Sequence, residues 1–197
     1  LILTEKNKIN EAIECYETGI KIKADYAMIY NNLGGIYASK KEYTKAESYY
    51  KKSIDLDKKI PEPYNNLGSL YLTLKKHKKA IPCFKSAINI DPKFFVAHYN
   101  LGIVYKNTGK FKEAKKYLKE AVKLNTYFFT AHRILSQITK YTKNDEHFIF
   151  LKKSYDDPKI DNKQKTEIAF ALGKASEEIK DFSKAFHYSK DGNDFRR

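Results

Sequence analysis

The chain has 197 residues, of which 42% are hydrophobic and 31% are charged, so it can form one ordinary domain or an array of five or six short repeats. This balance excludes a disordered chain, and no apolar run approaches the roughly 20 residues that span a bilayer. The net charge of +14 rests on lysine, because only Arg133, Arg196 and Arg197 are arginine. An A/T-biased coding sequence explains this excess better than a nucleic-acid-binding surface, which would use the bidentate fork of arginine.

One motif recurs along the chain at a fixed interval. The stretches "YNNLGGIY" at 30–37, "YNNLGSLY" at 64–71 and "YNLGIVY" at 99–105 place Leu-Gly pairs at 33, 67 and 101, always 34 residues apart. A glycine inside a helix costs about 1 kcal/mol relative to alanine, so its recurrence indicates a packing requirement. The period predicts repeats that begin near 27, 61 and 95, each with a helix A, a turn and a helix B.

The predicted B helices alternate small and large side chains. Small residues follow the Leu of each repeat by 13 and 20 positions, and a large residue lies between them. This alternation is typical of a helix face that packs closely against a neighbouring helix. The same pattern predicts a B helix at 5–23 that belongs to a partial first repeat. The positions are Ala46, Tyr50, Ser53; Ala80, Phe84, Ala87; Ala114, Leu118, Ala121; and, in the partial repeat, Ala12, Tyr16, Gly19.

The pattern weakens after the third full repeat. Leu135-Ser136 continues the series and predicts a lone A helix that completes an array over 1–139, with no matching B helix after Thr139. Residues 140–165 are predicted to form an irregular joint, with a loop at 142–145, an Asn144 cap and a short helix that ends before Pro158. Leu172-Gly173 restarts the series and predicts a C-terminal helix pair over 166–197.

The repeats resemble the tetratricopeptide repeat family. The second repeat carries that family's pattern at Tyr64, Leu67, Gly68, Tyr71, Ala80, Phe84, Ala87 and Pro92. The resemblance covers about residues 5–139 and 166–197. It implies an all-α, right-handed superhelical solenoid of antiparallel helix pairs that serves as a protein-binding scaffold.

The C-terminal part resembles something narrower, the repeat region that precedes the sulfotransferase domain in some bacterial proteins. The matching segments are 131–133 ("AHR"), 170–175 ("FALGKA"), 181–186 ("DFSKAF") and 192–197 ("GNDFRR"). The resemblance implies that a sulfuryl-transfer domain, which uses phosphoadenosine phosphosulfate, follows residue 197. The chain itself carries no phosphate-binding loop and no catalytic cluster, so no cofactor and no metal are expected in it.

The residue before each Leu is an asparagine in the three full repeats and is expected to face the concave groove. A column of asparagine amides can hold the backbone of an extended peptide, because each amide offers two donors and one acceptor oxygen. Hydrogen bonding between helices is the alternative role, and the sequence leaves both open. The candidate groove residues are Asn31, Asn32, Asn65, Asn66, Tyr99, Asn100, Lys106 and Asn107.

The remaining polar residues point to structural roles. His98 and His132 occupy the first aromatic position of their A helices, where packing is expected. Cys15 and Cys83 lie two repeats apart, beyond disulfide reach, which favours a reduced, cytoplasmic compartment. Most lysines between 75 and 123 fall in turns and on the outer face of helix B, where they are expected to be solvated.

We therefore expect a non-catalytic scaffold that binds a protein or peptide. The net charge favours an acidic partner, although the positions of the lysines make this inference weak. The leading hypothesis is a module that presents substrates to a sulfotransferase domain. The alternatives are a free-standing adaptor for complex assembly and, third, a nucleic-acid-binding repeat array.

Overall fold

The computed structural model describes residues 2–196, with side chains from Lys8 onward. The predicted first and last segments extend to Leu1 and Arg197, which lie outside the described residues. The described residues form α-helices and contain no strand, so the predicted all-helical solenoid fold is confirmed. The helices are α1 (Ile2–Ile22), α2 (Ala27–Ser39), α3 (Tyr43–Leu56), α4 (Pro61–Thr73), α5 (His77–Ile90), α6 (Phe95–Asn107), α7 (Phe111–Leu124), α8 (Phe129–Ser136), α9 (Glu146–Tyr155), α10 (Asn162–Glu178) and α11 (Phe182–Asp194).

The turn between helix A and helix B has the same backbone geometry in several repeats. The residue eight positions after the Leu is left-handed, with φ of 62° at Lys41, 56° at Lys75, 74° at Gly109 and 62° at Lys180. The next backbone N–H donates to the carbonyl five residues earlier, as Glu42 does to Tyr37 at 2.9 Å. Such a bond satisfies an orphan carbonyl at the end of a helix, so the turn redirects the chain without loss of hydrogen bonding.

The chain divides into two compact units, residues 1–104 and 105–197. In the first unit, α2 packs against α3 and α4 packs against α5. Contacts of α4 with both α2 and α3 join these pairs, and α1 packs against α2. Two of the glycines of the Leu-Gly pairs, Gly34 and Gly68, lie at these crossings. A Cβ added to Gly34 would come within 2.6 Å of the Tyr50 ring, and one added to Gly68 within 2.7 Å of the Phe84 ring. The predicted close approach of helices at these glycines is confirmed.

In the second unit, α10 packs against α8, α9 and α11, and α7 packs against α8. Its core combines the first residue of α8 with the loops on either side of α9 and with α9 and α10 themselves. The buried members include Phe129, Tyr141, Phe148, Leu151, Ile160, Ile168 and Leu172. The segment that lacks the repeat pattern is therefore the centre of a hydrophobic core in this unit.

The segment after α8 departs from the sequence prediction in two ways. Asp145, and not Asn144, caps α9, because its carboxylate accepts the backbone N–H groups of His147 and Phe148. In addition, α9 begins 35 residues after α7 begins, close to the 34-residue interval that separates α3, α5 and α7. Along the chain α9 thus takes the place of a B helix, although it buries Phe148 where Ala46, Ala80 and Ala114 stand in the repeats.

Helix α10 begins at Asn162, about one turn before the predicted start at 166. The cause is a capping box, in which the Asp161 carboxylate accepts the Gln164 backbone N–H and the Gln164 side chain accepts the Asp161 N–H. This pair satisfies two free donors at the start of the helix and so fixes its first turn.

Neighbouring glycines offer a direct test of the close helix approach. Gly34→Ala should destabilise the protein by about 1–3 kcal/mol, because the methyl group would overlap the buried Tyr50 ring. Gly35→Ala should be neutral or stabilise by up to about 1 kcal/mol, since the nearest atom, Tyr50 Oη, lies 3.9 Å away and alanine favours a helix. Thermal and urea unfolding of both variants measure the difference. Equal effects of the two substitutions would contradict this packing.

Candidate functional site

Asparagine side chains link the A helices of the first unit. Asn66 Nδ2 donates to Asn31 Oδ1 at 2.9 Å, and Asn100 Nδ2 donates to Asn65 Oδ1 at 2.9 Å, both across 35 residues of sequence. The same bond therefore recurs from one repeat to the next. Asn31 and Asn65 are buried by it, whereas Asn32, Asn66 and Asn100 remain half-buried.

Longer contacts join these bonds into one row. Asn31 Nδ2 donates to Asn32 Oδ1 at 3.5 Å, and Asn65 Nδ2 donates to Asn66 Oδ1 at 3.4 Å. At the other end of the row, Asn32 Nδ2 donates to the Tyr16 hydroxyl at 3.3 Å. We call the row of Asn31, Asn32, Asn65, Asn66 and Asn100 the amide row. It fixes the stacking of the A helices, and its half-buried members still face open space.

A groove of about 420 Å³ lies beside the amide row. Its lining comes from α1 and two A helices and contains no charged side chain. Gly35 is exposed and leaves the wall of this groove bare. The lining residues are Ala12, Tyr16, Asn31, Asn32, Gly35, Ile36, Ser39 and Asn66.

A smaller cavity of about 190 Å³ also has Asn66 in its lining. Ser69, Leu70 and Thr73 line it together with residues of α2 and α3. Asn66 borders both spaces, so its amide is the central polar group of this surface.

The remaining predicted groove residues divide between the two units. Tyr99 is half-buried in the first unit, while Lys106 and Asn107 belong to the second. Lys106 Nζ donates to Gln137 Oε1 at 2.6 Å, and Asn107 is exposed at the end of α6. Burial and the charge of Arg133 lower the pKa of Lys106.

The first aromatic residue of the A helices makes a recurring bond of its own. The Tyr30 hydroxyl donates to the carbonyl of Ala24 at 3.0 Å, and the Nε2 atoms of His98 and His132 lie 2.9 Å from the carbonyls six residues earlier. Both histidines are buried. The packing role predicted for them is confirmed, and the bond explains why tyrosine and histidine can exchange here.

His132 also takes part in a buried network that the sequence did not reveal. Its Nδ1 lies 2.8 Å from His147 Nε2, and His147 Nδ1 lies 2.7 Å from the Tyr141 hydroxyl. Because His132 Nε2 must donate to the Thr126 carbonyl, one proton assignment satisfies the whole chain: Tyr141 donates to His147, and His147 donates to His132. Both imidazoles are then neutral.

The surroundings of this network oppose its protonation. Burial lowers the pKa of His132 to about 4, although the Thr126 carbonyl acts in the opposite direction. Burial and His132 likewise lower the pKa of His147 to about 4; Asp145 raises it, and Lys119 and Lys115 lower it slightly. The hydrogen bonds within the network account for the ring nitrogens of both histidines, so we interpret the network as structural.

Some classes of site have no counterpart in the described part of the chain. No three His, Cys, Asp or Glu side chains between residues 8 and 196 come together as metal ligands. Within the same range, no helix combines the length and the apolar character needed to cross a membrane.

Stacked helix pairs with a 34-residue period define a class of repeat scaffold in which each repeat contacts its neighbours. Family models agree with this class. Models of the tetratricopeptide repeat match residues 25–93 and 95–127, and a TPR repeat model matches residues 1–41. The chain therefore belongs to the tetratricopeptide repeat family. No curated protein matches the sequence closely enough to be recognised as a relative.

Several solved structures share the fold. The Pseudomonas aeruginosa PilF structure has a TM-score of 0.71 at 16% identity, covering 98% of this chain and 91% of its own. YrrB, described as a TPR protein with an unusual peptide-binding site, has a TM-score of 0.68 at 22% identity, covering 93% of each chain. The first TPR of Spaghetti (RPAP3), bound to the HSP90 peptide SRMEEVD, has a TM-score of 0.56 at 26% identity, covering 57% of this chain and 90% of its own.

The histidine network predicts how stability depends on pH. The two imidazoles have a lower pKa in the folded state, about 4, than in the unfolded chain, about 6.5, so the unfolded state binds more protons between these values. Stability should therefore be full above pH 6.5 and fall as the pH drops toward 4, by about 2 kcal/mol for each imidazole, or about 4 kcal/mol for both, at pH 5.

Urea unfolding at pH 7 and pH 5 measures this loss. His187→Gln is the matched control, because His187 is exposed. Between pH 7 and pH 5 this variant should lose as much stability as the unaltered protein. His147→Phe should reduce the pH dependence. A pH dependence that is unchanged by His147→Phe would contradict the assignment.

Proposed function

We propose that the groove beside the amide row binds an extended peptide segment of a partner protein, and that the chain acts as a non-catalytic scaffold. The amide row carries this proposal. An extended peptide presents backbone N–H and C=O groups at regular intervals, and amide side chains can donate to and accept from both. Asn32 and Asn66 supply such groups from two successive repeats.

The bonds within the amide row support this role. They hold the amides of Asn32 and Asn66 in fixed orientations, so little side-chain entropy is lost when a ligand binds. The structural and ligand-binding alternatives for these asparagines are compatible in this arrangement. The buried partners, Asn31 and Asn65, stabilise the stack, while the half-buried ones contact the ligand.

The chemistry of the groove indicates what it selects. Its lining has polar amides and two hydroxyl-bearing side chains beside Ala12, Ile36 and the bare Gly35, without a charged group. Such a surface favours the peptide backbone and small side chains over a charged ligand. YrrB and the Spaghetti domain, which are named for peptide complexes or peptide sites, support peptide binding as the function of this fold.

Gly35 allows the groove to be blocked without harm to the fold. In Gly35→Gln the new side chain would extend into the groove from an exposed helix position, with Tyr50 Oη as the nearest atom to its Cβ at 3.9 Å. Peptides selected from a random display library against the unaltered protein should bind Gly35→Gln at least tenfold more weakly in fluorescence anisotropy. The variant's melting temperature should stay the same or rise.

Two further measurements control this experiment. Lys112→Gln changes an exposed residue of α7 and should leave peptide affinity unchanged. Gly35→Ala should have a smaller effect than Gly35→Gln. Full binding by a folded Gly35→Gln variant would exclude the groove as the binding site.

We further propose that the scaffold positions substrates for a sulfotransferase domain. The support is the resemblance of segments 131–133, 170–175, 181–186 and 192–197 to repeat regions that precede such domains. The reading frame beyond residue 197 separates this context from a free-standing adaptor.

If the domain follows, its kinetics should depend on the scaffold. Deletion of residues 1–197 should raise KM for a protein acceptor at least tenfold, because binding energy remote from the reacting group is lost, while KM for a small acceptor should not change. Equal kinetics with and without the scaffold, for both acceptors, would contradict the positioning role.

A further inference from the structure

The turns that join helix A to helix B in the first unit carry a group of exposed lysines. One turn joins α2 to α3, and the other joins α4 to α5. Every lysine in these turns and in the first helical turn that follows them is exposed to solvent. We call this group the lysine edge; its members are Lys40, Lys41, Lys45, Lys75, Lys76, Lys78 and Lys79.

The two turns of the lysine edge lie at the same end of the first unit. Helix α4 contacts both α2 and α3, and the Tyr71 hydroxyl on α4 donates to Glu47 Oε1 on α3 at 2.8 Å. The Lys79 ammonium group lies 5.6 Å from the centroid of the Tyr71 ring, and its charge acts on Glu47. Packed helices are about 8–10 Å apart, which is close to the Debye length at physiological salt. The lysines of both turns therefore act electrostatically as one patch.

Few carboxylates balance this charge. Glu42 pairs with Lys40 at 3.2 Å and with Lys45 at 2.7 Å. Among the described residues, no carboxylate forms an ion pair with Lys41 or with the four lysines of the second turn. From the first residue of α4 to the last residue of α5, the sequence contains a single acid, Glu62, in the first turn of α4. The lysine edge thus has a large net positive charge.

The start of α5 differs from the start of the other B-type helices. Those helices have an acidic residue at or just after their first turn begins, whereas α5 has Lys76 as its N-cap, without a capping side chain, and no acid in its first turn. A helix N-terminus carries partial positive charge, so cations placed there are unfavourable in the free protein. An anionic partner would relieve this repulsion. The acids of the other helices are Glu42, Glu113, Asp145 and Asp181.

Backbone geometry shows a second cost of these lysines. Lys41 and Lys75 are left-handed, with φ of 62° and 56°, a conformation that is unfavourable for residues with a Cβ. Gly109 occupies the same turn position with φ of 74°, so glycine fits this turn. An A/T-biased coding sequence explains how many lysines the chain has. It does not explain their placement where both charge and backbone disfavour them.

The chemistry of the lysine edge favours one class of polyanion. Base recognition in nucleic acids uses arginine forks and open aromatic rings, and the edge has no arginine. Its nearby rings are buried and covered by lysines, since Lys45 lies 4.9 Å from the Tyr37 centroid and Lys79 lies over Tyr71. An anionic lipid surface requires only point charges within a Debye length of its headgroups. A second copy of the chain is unfavourable as the partner, because both copies carry a net charge of +14.

We propose that the lysine edge docks the scaffold onto an anionic lipid surface. The contact is peripheral, with the lysine ammonium groups lying among the phosphate and carboxylate groups of the lipids. Lys41 and the lysines of the second turn supply most of the attraction, because they have no ion pair within the described chain. The groove beside the amide row has no charged lining, so peptide binding and lipid binding use different groups. The proposal goes beyond the proposed function and does not depend on it.

Vesicles of defined composition test the docking. The protein is sedimented with vesicles of phosphatidylcholine alone and with vesicles that contain about 30% phosphatidylserine. Binding to the anionic vesicles should be at least tenfold tighter, and it should weaken as the salt concentration rises.

A fourfold lysine variant connects binding to the second turn. Its melting temperature should stay the same or rise, because the substitutions remove cations from the positive end of α5. Its binding to the anionic vesicles should be at least tenfold weaker, since each lysine near such a surface contributes to the attraction. The substitutions are Lys75→Gln, Lys76→Gln, Lys78→Gln and Lys79→Gln.

The matched control removes the same charge from α7, where Glu113 and Glu120 lie on the same helix. All four substituted lysines are exposed, so this variant should fold. Its vesicle binding should stay within about threefold of the unaltered protein, because its lysines lie outside the lysine edge. The substitutions are Lys112→Gln, Lys116→Gln, Lys119→Gln and Lys123→Gln.

Lys75→Gly separates binding from stability. Glycine accepts the left-handed backbone, so the melting temperature should rise, whereas loss of the charge should weaken vesicle binding about fivefold. Opposite changes of stability and binding would support a lysine that is retained for its partner.

Three results would overturn the proposal. The first is equal binding to vesicles with and without phosphatidylserine. The second is an equal loss of binding in the two fourfold variants, which would show that only net charge matters. The third is binding to mixed-sequence duplex DNA that is tighter than binding to the anionic vesicles and is lost in the second-turn variant, which would assign the lysine edge to nucleic acid.

Discussion

The contact between a glycine of helix A and an aromatic ring of helix B is the constraint on which the repeats of the first unit depend. Gly34 against Tyr50 and Gly68 against Phe84 leave no room for a methyl group. The cost of glycine in a helix, about 1 kcal/mol each, is offset by the burial of a large ring in the space that the missing side chain leaves. Because the contact recurs after 34 residues, it fixes the rotation of α2 and of α4 about their own axes in the same way.

The fixed rotation determines which residues line the groove beside the amide row. Leu33 and Leu67 are buried beside the glycines. This burial turns the residues one and two positions before each Leu toward the neighbouring A helix. Asparagine at these positions bonds from repeat to repeat and forms the amide row. In the second unit the same positions hold Arg133 and Phe170, and the surface becomes cationic. Helix packing and the chemistry of this helix face are therefore set by adjacent residues of one short motif.

Local patterns predicted most of the helices, because the signals for them lie within one repeat. The Leu-Gly pairs and the small residues of helix B indicated where α2 to α7 begin and which faces they bury. The prediction was weakest after Thr139, where the choice between Asn144 and Asp145 as the cap depends on where the backbone turns. Phe148 stands where the repeats have alanine, and this substitution concealed the B-like position of α9.

The sites were harder to predict than the helices, because their partners are distant in sequence. The sequence placed the asparagines on one face but could not show that Asn66 bonds to Asn31 and not to Asn32. The partnership of His132 with His147 depends on the path of the loop between α8 and α9. Likewise, Arg133 and Arg196 come together only because α10 packs against both α8 and α11.

The central claim is that the half-buried amides of the A helices contact the ligand while their buried partners hold the stack. The side-chain NH₂ signals of the asparagines in a ¹⁵N-labelled sample report this directly during titration with a library-selected peptide. The account predicts that the signals of Asn32 and Asn66 shift with the peptide, and that those of Asn31 and Asn65 stay protected from solvent exchange throughout. Shifts confined to residues of the B helices, with the Asn32 and Asn66 signals unchanged at saturation, would contradict it.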